Sequence, residues 1–321
     1  MFDVRRTSII VLAGMVAIAT LVARPAAASF PGTNGLIAFQ SQAGYDASPS
    51  DYEIWTVGSQ ITANAVQDFT PSWSPDGTKI AIARRSGPNN TDEIFVMDSD
   101  GTNEVQLTNN SIDDDEPAWS PNGRRLVFTR TSSAAHGPDL FAMDAADRDH
   151  NGRGDHLVRL TTHRGSGGFQ DPAWSPNGKR IAFSRSVGPT NNDIFTMRAA
   201  PLSRTNRPKR LTKDPAPSTF FDAYPDWSPD GTKIAFETNR FGHYDIAVMN
   251  SNGTGLTALT NDPASDGDPV FSPDGSLIAY DRSTTGGGDI FVMHADGSDA
   301  PGTNNTNTTV NDVNPTWQPL P

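Results

Sequence analysis

Polar and apolar positions in this chain do not follow the 3.6-residue spacing of helices; they form short apolar runs separated by turn residues. The runs Ile80-Ala81-Ile82, Leu126-Val127-Phe128, Ile181-Ala182-Phe183, Ile234-Ala235-Phe236 and Leu277-Ile278-Ala279-Tyr280 are apolar throughout, as strands covered on both faces are. Ahead of each stands an aromatic segment that ends in a turn: PSWSPDG (71–77), PAWSPNG (117–123), PAWSPNG (172–178), PDWSPDG (225–231) and PVFSPDG (269–275). In these turns Pro supplies a φ near −65°, Asp or Asn follows, and Gly takes the positive φ that closes a hairpin. Behind each run comes an acid-led strand, EIFVM (93–97), DLFAM (139–143), DIFTM (193–197), DIAVM (245–249) or DIFVM (289–293). The first four of these are followed by a Leu-Thr segment ending at Thr108, Thr161, Thr212 or Thr260. Each unit is thus predicted to contain four strands, A to D.

The steps between Trp73, Trp119, Trp174, Trp227, Phe271 and Trp317 are 46, 55, 53, 44 and 46 residues, a period that suits a four-stranded propeller blade. The first unit starts late, with NGLIAF (34–39) and YEIWTV (52–57) but no Trp strand before them, and the last stops at PTWQP (315–319). Together they complete one blade. The expectation is an all-β, six-bladed β-propeller of four-stranded antiparallel blades over residues 29–321, closed by pairing of the C-terminal strand with the N-terminal blade.

The WSPDG turn, the Ile-Ala-Phe strand and the runs EIFVMDSDG (93–101) and DIFVMHADG (289–297) resemble the TolB-type propeller repeat, which is related to WD-repeat blades. The resemblance covers residues 30–321. It implies an exported, non-catalytic scaffold that binds a protein or peptide partner in the cell envelope or outside the cell. TolB itself is a periplasmic protein of the Tol-Pal envelope system and carries an α/β domain ahead of its propeller, whereas here the first blade is expected directly after a leader. An alternative reading is a propeller-type polysaccharide lyase or hydrolase with a metal-assisted site at the channel mouth; a third is an adhesion or structural module.

The leader is residues 1–28: Arg5 and Arg6, an apolar run from Ile9 to Val22, then small residues at Ala26 and Ala28. That order is expected of a secretory signal peptide, the run being short for a membrane span of about 20 residues. The product is expected to be secreted or periplasmic, monomeric and without an integral membrane segment. The chain has no Cys, and its 37 acids, 32 of them Asp, give a net charge of −12. Such a balance argues against nucleic-acid partners and for cations or basic ones.

Candidate sites follow from the repeat. An Asp stands three residues before the Pro of five Trp or Phe segments, at Asp68, Asp114, Asp222, Asp266 and Asp312, with Phe169 in the remaining unit. Strand A is innermost in a propeller, so these side chains recur at one mouth of the channel. Either they cap the turn into strand A, or they form an acidic ring that attracts a cation or the basic end of a peptide. The connection 144–156 places Asp147, Asp149, Asn151, Gly152 and Asp155 in the order of a calcium loop, with the Arg153 carbonyl available, although Val158 stands where an EF-hand has Glu. It reads as a structural Ca²⁺ site or as a plain Asp/Gly-rich hairpin. The connection 198–210 carries Arg198, Arg204, Arg207, Lys209 and Arg210, either a solvated hairpin or a local basic patch for a carboxylate or phosphate polymer, on the face opposite the Asp ring. No G-x-S-x-G, H-E-x-x-H or Walker motif is present, and the six His residues are scattered, so no catalytic residue is assigned.

Overall fold

A computed structural model of the chain describes residues 8–12, 15–19, 30–43, 51–87, 89–131, 137–148, 154–162, 167–188, 191–201, 206–213, 219–285 and 287–321. Ser8–Leu12 and Met15–Ala19 pair as a separate hairpin. The other strands form six antiparallel sheets of four strands each, the expected blades. Strands A to D run, in blade 2, Asp68–Trp73, Lys79–Arg85, Asp92–Asp98 and Val105–Gln106. Blade 3 has Asp114–Trp119, Arg125–Arg130, Asp139–Asp144 and Val158–Arg159. Blade 4 has Phe169–Trp174, Arg180–Gly188, Asn191–Arg198 and Lys209–Arg210. Blade 5 has Asp222–Trp227, Lys233–Thr238, Asp245–Asn250 and Thr257–Ala258, and blade 6 has Asp266–Phe271, Leu277–Thr284, Gly287–His294 and Thr303–Asn304.

Blade 1 is made from both ends of the chain. Asp312–Leu320 supplies its strand A and pairs with Thr33–Ser41, which is followed by Glu53–Thr56 and Ser59–Gln60. Trp317 lies opposite Ile37, and Asp312 opposite Ser41. Each strand A also packs against the strand A of both neighbouring blades, so the six form a closed inner ring.

The core lies between blades. Ala38 and Ile54 of blade 1 pack on Trp73, Ile80 and Ile82 of blade 2, and Ala235 and Ile246 of blade 5 on Phe271, Ile278 and Tyr280 of blade 6. The small Ala at the centre of strand B admits the neighbour's Trp or Phe, which explains why Ile-Ala-Phe recurs. Trp119 also donates its indole N–H to the Ser72 carbonyl of the preceding blade at 3.1 Å. At the A-to-B turns Ser74 Oγ lies 2.6 Å from Asp76 Oδ1, and Gly77 takes a φ of 67°. These turns and the C-to-D connections lie at the lower end of each blade, the B-to-C and D-to-A connections at the upper end.

Candidate functional site at the channel mouth

The repeated Asp opens strand A at the upper end, and the strand pairing sets what it meets. Asp68, Asp114 and Asp266 lie opposite Arg84, Arg130 and Arg282 on strand B. Arg84 Nε and Arg130 Nε donate to Asp68 and Asp114 at 2.5 Å, and Arg282 Nη1 to Asp266 at 3.1 Å. In blade 5 the opposite residue is Thr238, and Arg240 reaches Asp222 from two positions further on. Asp312 has no Arg partner among the described residues; Ser41 and Thr308 donate to it instead. All five carboxylates are buried. The structure thus brings the five into equivalent places and turns each carboxylate towards nearby donors, on its own blade or, at Asp68, Asp114 and Asp312, also on the D-to-A connection leading into it. Forked Arg–carboxylate pairs hold the upper ends of strands A and B together. Where Phe169 replaces Asp, Arg185 stays and stacks over the Phe169 and Phe195 rings at 5.0 and 5.6 Å.

A second polar layer lies two residues along each strand A, and the sequence reading missed it. Thr70, Glu116, Asp171, Tyr224, Asp268 and Asn314 all take a φ between 50° and 58°, and the strand pairing is interrupted there by a bulge. The bulge turns backbone N–H groups towards the preceding blade. Asp171 N donates to Glu116 Oε2 at 2.8 Å, Tyr224 N to Asp171 Oδ2 at 3.3 Å, and Thr70 N to Gln40 Oε1 at 3.1 Å. With Asp115, Glu237 and Asp281, this layer collects six acids, none more than 9% exposed. Burial, with Asp92 nearby, pushes the Asp115 carboxyl up to about 7. Burial, together with Asp171 and Asp115, raises Glu116 well above the usual carboxylate range. Burial and mutual repulsion thus favour the protonated forms of Asp115 and Glu116 in this layer.

One sector of the mouth is aromatic. Phe221 meets Tyr244 edge-on at 5.9 Å and Tyr224 at 6.4 Å, and Arg240 lies 5.3 Å from the Phe220 ring. Phe241 and Tyr244 remain 37% and 38% exposed, on the B-to-C connection of blade 5. Tyr224 is the one partly exposed member of the positive-φ set.

Of the five expected calcium ligands, Asp149, Asn151 and Arg153 lie outside the described residues, as does Arg204 of the basic connection. Asp155 accepts a hydrogen bond from Arg148 N at 3.4 Å, while Asp144 meets Arg148 at 3.0 Å and His156 at 2.9 Å. Among the described residues no three His, Cys, Asp or Glu side chains are grouped as a metal site would require.

Six blades joined through strand A and closed by the two chain ends define a β-propeller with a polar, acid-lined axis and one aromatic sector at its mouth. The model of the TolB beta propeller domain matches residues 53–153 and 155–319, and the chain belongs to that family. The chain is 33% identical over 100 residues to the Tol-Pal system protein TolB of Anaeromyxobacter dehalogenans, a match covering 30% of this chain and 20% of that protein. Among solved structures, TolB from Acinetobacter baumannii superposes with a TM-score of 0.67 at 21% identity, over 89% of this chain and 67% of that one. The putative TolB from Agrobacterium tumefaciens does so with a TM-score of 0.61 at 16% identity, over 90% and 92%. At these identities the two structures speak for the fold.

Proposed function

We propose that the chain is an exported, non-catalytic scaffold that docks a protein or peptide partner on its upper end, with a basic segment of the partner directed at the axis. The observation that carries this reading is the exposed pair Phe241 and Tyr244 at the upper end, with Tyr244 linked through Phe221 to Tyr224 of the inner layer. Aromatic side chains that are rigidly backed and half exposed are the type that anchors protein interfaces, and acids focused on an axis steer a cationic segment towards it. Phe221 supplies the backing for Tyr244. The leader-like N-terminus and the kinship with a Tol-Pal protein support a place in the cell envelope.

The test is capture from envelope extract by the immobilised protein and by its Phe241→Ala/Tyr244→Ala variant. A partner held by the wild type is expected to bind the variant at least about 30-fold more weakly, as loss of an aromatic hot spot requires. Equal capture by both proteins would contradict the reading, as would release of glycan products that EDTA abolishes.

A further inference from the structure

The net charge of −12 conceals a segregation. Sixteen of the 25 Lys and Arg residues stand between Arg124 and Lys213, with only seven of the 37 acids, so this stretch carries +9. Several of these cations gather at the lower end of blades 3 and 4. The turns of blades 2, 5 and 6 carry Asp76, Asp230 and Asp274, whereas blades 3 and 4 have Asn122 and Asn177, followed by Arg124-Arg125 and Lys179-Arg180. The turn does not need this exchange, because the amides accept the same bonds: Asn122 Oδ1 lies 2.9 Å from Ser120 Oγ and accepts from Arg124 N at 3.1 Å. What changes is the charge.

The next cross-strand pair points the same way. Lys79 faces Asp98 at 2.6 Å in blade 2, and Arg125 lies opposite Asp144 in blade 3, but in blade 4 Arg180 lies opposite Arg198. Like charges directly opposite are unfavourable in a sheet. Arg180 donates one Nη to Thr196 at 2.6 Å, and its buried Nε has no acceptor among the described residues. Ala199 N binds the Lys179 carbonyl at 3.0 Å, which ties the C-to-D connection carrying Arg207 to the turn. Arg124, Lys179, Arg207 and Lys209 are exposed and, like Arg180, make no ion pair among the described residues.

The rest of this end is acidic, and the C-to-D connection of blade 3 is mixed, with Asp144, Asp147 and Asp155 beside Arg148, so the basic sector is the A-to-B turn of blade 3 and the lower end of blade 4. Asp76, Asp100, Asp230, Asp274 and Asp296 lie on blades 2, 5 and 6, where hydrogen bonds from turn residues hold each below the usual carboxylate range, at Asp76 and Asp274 against partial burial. A flat anionic membrane would meet both halves at once, whereas a flexible chain can lie along the basic half alone. Apart from the imidazole of His156, which is hydrogen-bonded to Asp144, no exposed aromatic ring lies among the described residues at the lower ends of blades 3 and 4, so there is no stacking platform for nucleic-acid bases. Beside the blade 4 cations stand Ala199, Ala200, Pro201 and Pro208, which offer no anchor for a protein hot spot, and the exposed Leu157 and Val158 belong to blade 3. We infer that this sector is a docking track for a linear, carboxylate-bearing polysaccharide, held by charge-assisted hydrogen bonds from Arg180 and the exposed cations.

The test is titration of the whole protein with polygalacturonate at low salt, repeated with the Lys179→Gln/Arg207→Gln/Lys209→Gln variant. These side chains are exposed, so the fold is expected to survive, which a matching melting temperature checks. As a control, Lys79→Gln/Lys233→Gln removes charge from the acidic half. The triple variant is expected to bind about tenfold or more weakly, and the control as the wild type does. No binding by the wild type would overturn the inference, as would equal binding by the triple variant or tighter binding to single-stranded DNA or anionic vesicles. Phe241 and Tyr244 lie at the opposite end and are untouched, so this result and the partner-capture result stand independently.

Discussion

At the scale of single residues, the buried charges are arranged for different ends. Asp114 and Arg130 form a pair in which removal of one member strands the other, so Asp114→Ala is expected to destabilise the fold by about 3–5 kcal/mol in denaturant titration. Asp115, one residue on, has no such cation bonded to it among the described residues; it accepts from Thr70 Oγ1 at 3.0 Å and Glu116 N at 2.7 Å. Its folded pKa, about 7, lies above the value of about 3.9 for an unfolded Asp. Its favourable contribution is therefore full below the unfolded value and is lost as pH rises through the folded one. Asp115→Asn keeps an acceptor for both donors, so it is expected to raise the melting temperature more at pH 8 than at pH 5. An equal change at both values would show that Asp115 is not protonated in the fold. The recurrence of Asp was legible in the sequence, and a further signal went unread: Arg84, Arg130, Arg185 and Arg282 each follow the first residue of strand A by 16 positions. That spacing, set against a hairpin centred on the WSPDG turn, marks a cross-strand partner.

At the scale of strands and turns, the sequence was most informative where backbone chemistry leaves little choice. Ser-Pro-Asp-Gly fixes a hairpin, and the apolar triplet after it has to be buried on both faces, so strands A and B of every blade could be placed. The bulge in strand A was not legible, because Thr70, Glu116, Asp171, Tyr224, Asp268 and Asn314 share no residue type, and only some of them belong to the kinds that favour a positive φ. The bulge is imposed by packing around the axis rather than by local preference. Two predictions belong at this scale. Trp119→Ala empties a between-blade site and removes the indole bond to Ser72, with an expected loss of about 3–5 kcal/mol. Gly77 and Gly123 have the same φ of 67°, but a Cβ on Gly77 would lie 2.2 Å from the Pro319 carbonyl oxygen, whereas one on Gly123 would lie 3.5 Å from its nearest neighbour. Gly77→Ala is therefore expected to lower the melting temperature clearly more than Gly123→Ala. Equal effects would mean that conformation alone sets the cost, without the contact across the ring closure.

At the scale of the molecule, both proposed surfaces depend on six blades standing in one ring. That ring sets the aromatic and acidic mouth at one end and the divided charge at the other, and it is joined only where the last strand meets the first. The two incomplete repeats at the chain ends made the closure readable, since each lacks what the other supplies. The aromatic sector was not readable, because Phe221 and Tyr244 meet only when the D-to-A and B-to-C connections of blade 5 converge. The closure can be tested directly because the chain has no native Cys. Thr33 and Leu320 are exposed partners in the closing pair, within reach of a disulfide. The double variant Thr33→Cys/Leu320→Cys, oxidised at low concentration, should give an internal disulfide in nearly every molecule and a higher melting temperature than its reduced form. Free thiols or intermolecular dimers would contradict a ring closed in this register.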